Sequence, residues 1–438
     1  MEKIIKKIPP HPLPKIKRYI DNFESVFRCT DTMHSAERYF TGLLSDVPYK
    51  NCGMMAEHIE GTTAQNLQQF ISWSSPWDFE KLNNERVTYM LDRAVYEDGA
   101  LIFDDTGFEK KGNCSVGVAR QYSGTLGKVG NCQISVSCQY TDVKYTWPVN
   151  AQLYLPEKWT KDPERLKKAK VPPDTAFKTK IQIALDMLDY ANSMGIKHSV
   201  VGGDCFYGGK PVYLEALEAR NERYAVSVPG DFTVRFKEEI DTFVPPEKPE
   251  GKKRGRPRMK PEPTPLPPQH KAESILGTIP ESSWRTISWR DGTKGALKKQ
   301  FAFMDAYWST LEKTGSPGCI IFERPAPGED GDIKYYFSDL PAETPDIKIV
   351  EYLHRRHTIE RFYQDAKDEL GLDQYEGRSW QGFHKHYGMV MLAYCWLLLQ
   401  RKFLDCVIKH YEVINDPTSG VSPSSGEREI FSPHAAMG

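Results

Sequence analysis

Apolar residues first recur at helical spacing. Ala36, Tyr39, Phe40, Leu43 and Leu44 share one stripe and Leu67, Phe70 and Ile71 another, which predicts a helical segment over residues 20–95. Thr62 or Thr63 would cap the stretch TTAQNLQQFISWSSPWD, whose Gln- and Asn-rich face suits DNA and equally suits an ordinary bundle helix. From residue 100 the period changes. Residues 100–103 form a short apolar run ending in Asp104, Asp105, Thr106 and Gly107. Cys132, Ile134, Val136, Cys138 and Tyr140 then alternate with Gln133, Ser135, Ser137 and Gln139, as in a half-buried strand. Residues 174–194 read as an amphipathic helix, 198–203 as a buried strand, 211–220 as a helix and 224–228 as a strand. A Pro-rich stretch at 245–268 then reads as a solvated linker. Beyond it the chain is β-rich to about 343, returns to helix over 344–370, and has an apolar helix at 387–404.

Antiparallel strands followed by alternating helices and strands define a mixed α/β sheet. The expected organisation is a helical N-terminal DNA-binding domain (1–95), the first part of a catalytic core (96–228), a β-rich insertion (229–343), the helical last part of the core (344–412) and a flexible tail (413–438).

Composition narrows the classes. At 438 residues with 39% hydrophobic and 27% charged residues, the chain suits a folded protein of several domains and not a disordered or collagen-like one. The 58 basic residues balance 59 acidic ones, so any affinity for a polyanion must be local. Nine cysteines, an odd number without a Cys-x-x-Cys pair, predict reduced thiols in a cytoplasmic protein and no structural zinc. The N-terminus is basic but interrupted by prolines, and the run MVMLAYCWLLL is too short to span a bilayer, so no membrane role is expected.

Candidate chemistry lies in three acidic sites. Asp104 and Asp105 close an apolar strand, and Asp204 in VVGGDCFYGG directly follows another. Turn chemistry alone would account for either. Glu360 lies on the helix of IERFYQDAKDELGLDQYEGRSW, at the edge of the stripe formed by Ile359, Phe362, Ala366 and Leu370. On a continuous helix Arg356 falls roughly 40° from Glu360 and Lys367 roughly 20°, so two cations and a carboxylate share a face. Because Glu360 and Lys367 are too far apart for an i,i+4 pair, that face is better explained by metal and phosphate than by a ladder of ion pairs. Three carboxylates at a sheet edge suit hard divalent cations, and two such ions can activate a water or 3′-hydroxyl for in-line phosphoryl displacement.

DDTGFEKKGNCSVGVARQYSGTLGKVGNCQ, VVGGDCFYGG and the helix carrying Glu360 together make the chain similar, over about residues 20–410, to DDE-type transposases of bacterial insertion sequences, in the group with a β-rich insertion between the second Asp and the Glu. The resemblance implies an RNase H-like core and metal-dependent cleavage at transposon ends followed by strand transfer into target DNA. It also implies Asp105 (with Asp104 as its neighbouring candidate), Asp204 and Glu360 as ligands of two Mg²⁺ ions, for which Mn²⁺ can substitute. The implied partners are double-stranded terminal-repeat and target DNA, in the bacterial nucleoid, and a second protomer in a homodimeric complex. Relatives carry a Tyr-Arg-Glu-Lys signature. Arg356, Glu360 and Lys367 keep its last two gaps, whereas Leu353 takes the tyrosine position and Tyr352 is one residue early. The other readings are a non-catalytic DNA-binding protein derived from a transposase, or a carboxylate-based hydrolase such as a glycosidase.

Other features carry bland alternatives. KKRGRPRMK, with Arg254, Arg256 and Arg258, is similar to an AT-hook, whose arginines enter the narrow minor groove; a merely solvated basic loop is as good an account. Lys110, Lys111, Arg120 and Lys128 follow the first acidic site in position to contact phosphates, or else sit on solvated strand edges. His354, His357, His384 and His386 are read as DNA-facing or helix-surface residues. Trp284, Trp289 and Trp308 are expected to fill a small β core in preference to stacking on a base, and Cys205 to be buried.

Overall fold

The computed structural model describes residues 7–9, 14–95, 98–246, 265–292 and 295–402, together with the helical backbone as far as 415. The Pro-rich basic stretch with Arg254, Arg256 and Arg258, and the tail beyond 415, lie outside the described residues.

The chain begins with α1 (Pro14–Asp21), α2 (Glu24–Phe27), α3 (Thr30–Leu44), α4 (Cys52–His58), α5 (Ala64–Phe70) and α6 (Phe79–Leu91). Side chains set the helix starts: Asn51 accepts from Met54 N, Thr63 from Asn66 N, and Asp78 from Glu80 N, which satisfies donors that have no intrahelical partner. The apolar stripes of these helices join one core cluster with the last helix, through Tyr39, Phe40, Phe70 and Trp77 on one side and Phe383, Tyr387, Met391 and Trp396 on the other.

A mixed sheet follows, from β1 (Ala100–Glu109), β2 (Ala119–Ser123), β3 (Lys128–Thr141) and β4 (Thr146–Leu153). After α7 (Glu157–Thr160), α8 (Pro163–Lys168) and α9 (Lys180–Ser193), β5 (Val200–Gly203) completes it. β1 pairs antiparallel with β3 along its whole length and parallel with β5 on its other edge, with Phe103 opposite Gly203. β3 is half again as long as the usual strand needs to be, and its far edge is shared by β2 and β4. The helix expected from residue 174 starts only at Lys180, where Thr179 and Gln182 form a capping box.

The expectation of a half-buried β3 is corrected, because both of its faces are covered. Gln133, Ser135, Ser137 and Gln139 are as buried as the alternating apolar residues. The helix α16 (Trp380–Asn415) lies over this sheet, and polar pairs replace water: Ser137 Oγ lies 2.9 Å from Tyr387 Oη, and Gln133 Nε2 donates to Val116 O at 2.6 Å.

After α10 (Cys205–Gly208) and α11 (Pro211–Glu218), β6 (Ala225–Val228) belongs to a second sheet with β7 (Thr233–Arg235), β8 (His270–Lys271), β9 (Arg285–Gly292), β10 (Gly295–Ser309), β11 (Thr314–Arg324) and β12 (Lys334–Ser338); α12 (Lys237–Thr242) and α13 (Ala272–Leu276) interrupt its strands. A single parallel bridge, Val201 to Tyr224, links the two sheets at β5 and the start of β6. Gly208 lets α10 lie on β6, since a Cβ there would sit 2.2 Å from Ser227 O. Trp308 fills the core under this sheet and donates to Glu218 Oε1 at 2.7 Å. Among the described residues no helix is long and apolar enough to cross a membrane.

The single helix expected over 344–370 is two, α14 (Asp346–His354) and α15 (His357–Asp368), broken at Arg355 and Arg356. The histidine reading also needs correction, because His384 and His386 on α16 are core residues. His384 accepts from Leu153 N (3.2 Å) and bonds Trp380 O (2.9 Å), while His386 meets Tyr39 Oη (2.8 Å) and Gly371 O (3.1 Å). His384 must accept on one ring nitrogen and donate on the other, so it is satisfied only as a neutral imidazole; His386 donates to Gly371 O and shares a hydrogen bond with the Tyr39 hydroxyl. Burial accordingly lowers both pKa values to about 4.

Depressed histidine pKa values mean that the unfolded chain binds more protons than the folded one between pH 6.5 and 4. Stability should be full above pH 6.5 and fall as pH drops toward 4, by up to roughly 1.4 kcal/mol per pH unit for each histidine. Urea midpoints measured across this range should fall less steeply for His384→Gln and His386→Gln than for the parent chain; an unchanged slope would contradict the assignment.

Candidate active site

The sheet register creates the site. β1 and β5 run parallel with Phe103 beside Gly203, so the next residues, Asp104 and Asp204, emerge together. Asp204 ends its strand by capping α10, accepting from Phe206 N at 2.9 Å. Asp104 accepts from the backbone N–H of Asp105 at 2.7 Å, and its carbonyl accepts from Tyr363 Oη on α15 at 3.1 Å. Burial, and then the charge of Asp204, push the Asp104 carboxyl up to about 8. Asp204 is also raised, first by burial, with Asp105 adding to the effect and Arg356 opposing it. Two buried carboxylates that repel one another in this way favour a cation between them.

Arg356 supplies positive charge here. Nη2 lies 2.8 Å from Glu360 Oε1 and Nη1 lies 3.7 Å from Asp104 Oδ2. Glu360 thus reaches the aspartates through the guanidinium, in an i,i+4 ion pair of the kind that the spacing argument had set aside. Among the described residues no three carboxylate, histidine or cysteine side chains are close enough to hold an ion as they stand. Asp105, close enough to raise Asp204, is engaged by a different cation: its carboxylate pairs with Lys180 on the first turn of α9, and that ammonium also lies 5.1 Å from the Phe206 ring. Lys367 donates to Thr106 Oγ1 (2.8 Å) and Gly107 O (3.2 Å), tying the end of α15 to β1.

The other expected contacts are dispersed. Lys110 donates to Tyr375 O at 2.9 Å, whereas Lys111, Arg120 and Lys128 are exposed. Tyr352 bonds Asp98, and Leu353 is buried. Cys205 is exposed and not buried as expected, and partial desolvation and the neighbouring Asp204 raise its thiol pKa, which disfavours a thiolate nucleophile.

The break between α14 and α15 is clamped from two sides by residues that the sequence reading did not single out. On one side Asp98, just before β1, pairs with Lys348 and Arg355, and its carbonyl accepts from Arg355 Nη1 at 2.5 Å. On the other the second sheet supplies Glu323, which is 0% exposed and lies 2.8 Å from Lys299 Nζ, 2.6 Å from Tyr336 Oη and 3.2 Å from His354 Nε2. His354 stacks on Trp289 with centroids 3.8 Å apart. His354, these partners and the Lys299 ammonium hold the Glu323 carboxyl down at about 2 in spite of burial. Trp289 therefore packs on the α14 end, and Trp284 lies 4.1 Å under the Arg324 guanidinium. No local pattern could reveal these partners, since Glu323 and His354 meet only when the second sheet docks on the helices.

A mixed α/β sheet thus brings two carboxylates together where its parallel pair of strands stops pairing, with cations beside them. The profile of the DDE superfamily endonuclease family matches residues 22–296, more than half of the chain, and the chain belongs to that family. That match includes Asp104, Asp105 and Asp204 and stops before Glu360. The chain is also 29% identical over 235 residues to a probable transposase for insertion sequence element IS701 from Microchaete diplosiphon, covering 52% of this chain and 58% of the relative. The match thus spans a little over half of that relative's length. Endonucleases of the DDE superfamily generally use divalent metal ions.

Removing Glu323 would leave the part-exposed Lys299 and His354 without their carboxylate and the buried Tyr336 hydroxyl without its acceptor. Glu323→Ala should lower stability by about 1–3 kcal/mol, the usual cost of leaving a buried polar group unsatisfied, read by urea denaturation at pH 7. A loss below about 1 kcal/mol, as for an exposed pair, would show that the clamp is not formed.

Proposed function

We propose that the chain is an insertion-sequence transposase that cuts DNA at the ends of its element and joins the freed ends to target DNA. The observation that carries this reading is the meeting of Asp104, midway along β1, with Asp204, just past the end of β5, and Glu360 is joined to them through Arg356. β1 does not close at Asp104 and Asp105 as expected but runs on to Glu109. Membership of the endonuclease family and the similarity to the IS701 protein support it. A strand order of β4, β3, β1 and β5, antiparallel except for β5, agrees with an RNase H-like core.

In this reading Asp104, Asp204 and Glu360 are the metal ligands, with Asp104 preferred to Asp105 because Asp105 is engaged by Lys180. The oxygen-only donor set and the raised pKa values of the two buried aspartates fit Mg²⁺ or Mn²⁺. Bound ions would lower the pKa of the attacking hydroxyl and stabilise the leaving oxygen. The chain's own groups do the rest. Arg356 sits against the carboxylates, where it can neutralise a phosphate oxygen, and Lys367 keeps α15 on β1. In cleavage, water oxygen bonds to phosphorus as the bond to the 3′ oxygen breaks, leaving a 3′-hydroxyl and a 5′-phosphate. In joining, that 3′-hydroxyl attacks a target phosphodiester and displaces another 3′ oxygen, so one ester replaces another. Two ends must be paired, which calls for a homodimer.

Labelled duplexes carrying the element's own ends should be nicked with Mg²⁺ and not with EDTA. Glu360→Gln, Asp204→Asn and Asp104→Asn should each lower cleavage at least 100-fold while DNA binding is kept, and Asp105→Asn should cost less than Asp104→Asn. Binding without cleavage by the parent chain would favour a non-catalytic DNA-binding protein, and a larger loss for Asp105→Asn would exchange the roles of the two aspartates.

A further inference from the structure

Beyond the carboxylate site, the described residues hold a cationic cleft with an exposed aromatic ring. It encloses about 480 Å³ between α5, α8 and the segment 374–379. Trp73, just past α5, is 53% exposed, and the Lys170 ammonium lies 4.5 Å from its ring centroid. Lys50, Lys168, Lys170 and Arg378 line the cleft against one carboxylate, Glu376, which accepts from Asn51 Nδ2 at 3.2 Å.

The charge is uncompensated. α8 reads PERLKK and leads into Lys170, and among the described residues Lys167, Lys168 and Lys170 are exposed and form no ion pair with an acidic side chain. Three neighbouring ammonium groups without an acidic partner raise the local potential and cost folding energy through self-repulsion, which points to a polyanion.

The cleft is also connected to the carboxylate site. β1, which carries Asp104, ends at Glu109, and the following Lys110 donates to Tyr375 O at the cleft. Val116 N donates to Arg378 O, and Trp380 N to Ala169 O, so the segment carrying Arg378 is pinned both to the loop after β1 and to the end of α8. At about 3.3 Å per residue, the six steps from Asp104 to Lys110 span roughly 20 Å, comparable with the width of a DNA duplex. The cleft thus begins about one duplex width from Asp104 along β1.

We infer that Trp73, Lys167, Lys168, Lys170 and Arg378 form a second contact for the same duplex DNA, with the lysines on phosphates and the Trp73 ring against a sugar or base. This inference rests on the reading of the carboxylate site as a DNA-cleaving centre, but its residues lie outside that centre. Lysine contacts with phosphate release counterions and so make binding salt-dependent, at about 0.9 log unit of affinity per log unit of salt for each phosphate neutralised.

The test uses the full chain and duplexes of the element's ends cut back in steps from the flank opposite the cleavage site. Binding is titrated from 50 to 300 mM salt for the parent chain, Lys167→Ala/Lys168→Ala/Lys170→Ala, and Trp73→Ala. The triple variant should lose two to three units of salt slope, and Trp73→Ala should weaken binding about 10-fold with the slope unchanged. Both effects should vanish on duplexes too short to reach a turn beyond the cut. Far-ultraviolet circular dichroism and urea midpoints verify folding, and Lys168→Arg, which keeps the charge, should bind as the parent does. Parent-like slope and affinity in both variants, with cleavage intact, would overturn the second contact and leave the cleaving centre standing. Loss that persists on the shortest duplexes would also overturn it, since the residues would then act at the cut. A parent chain that neither binds nor cuts any duplex would instead bring down the reading of the carboxylate site, and an acidic protein partner would become the better occupant of the cleft.

Discussion

Repulsion between Asp104 and Asp204 is the constraint on which the site depends. Parallel pairing of β1 with β5 forces the two carboxylates to emerge side by side, where burial raises both pKa values, the charge of Asp204 adds to the rise at Asp104, and that of Asp105 adds to the rise at Asp204. The fold offsets this with Arg356, whose guanidinium lies against Asp104 and Glu360. Arg356 can do so because the chain leaves α14 and restarts as α15 at that residue, turning one helix into two. Were the helix continuous, its first turn would project the side chain from a different direction. Arg355 and Arg356 keep right-handed helical dihedrals, and ion pairs from Asp98 and from the second sheet hold the break on either side.

Those ion pairs give the second sheet a role in the site without contributing a ligand. Glu323 and Trp289 hold His354, the last residue of α14, and Arg290 Nη1 lies 2.8 Å from His357 Nε2 on the first turn of α15. Asp98 performs the same service from just before the strand that bears Asp104. Arg356 and Glu360 are therefore positioned by contacts from residues distant in sequence. Small shifts of the second sheet would be felt at the carboxylates, because a packed helix junction moves as a unit.

Charge neutrality over the whole chain conceals a local division of labour. Cations near the carboxylates are engaged: Arg356 by Asp104 and Glu360, Lys180 by Asp105, Lys367 by Thr106 and Gly107. Around Trp73, Lys167, Lys168 and Lys170 face no acidic side chain among the described residues, and the two groups are joined through β1 and the segment after α15. An overall net charge of −1 thus coexists with a surface that favours a polyanion, since screening beyond about 10 Å lets each patch act alone.

Much was legible in the linear chain, for reasons of local physics. Periodicity in Leu67 and Phe70, alternation along β3, and apolar runs ending in Asp104 and Asp204 reflect interactions within a few residues, so the elements and the acidic sites could be located without knowing what they touch. The motifs that suggested the family lie in those same short stretches. What could not be read was anything that depends on a second surface. The polar face of β3 and the histidines of α16 look solvent-facing by composition, yet both are buried, with Ser137 beside Tyr387 and His384 accepting from Leu153 N. Adjacent Asp104 and Asp105 are equivalent in sequence and are separated only by strand pleating, which turns one toward Arg356 and the other toward Lys180. The sequence by itself determined which elements form and which carboxylates are available, because these follow from local period and polarity. Only the tertiary structure decided which carboxylates meet, which cations they share and which remain free, because those choices are made by groups hundreds of residues apart that become neighbours when the two sheets and the last helix pack.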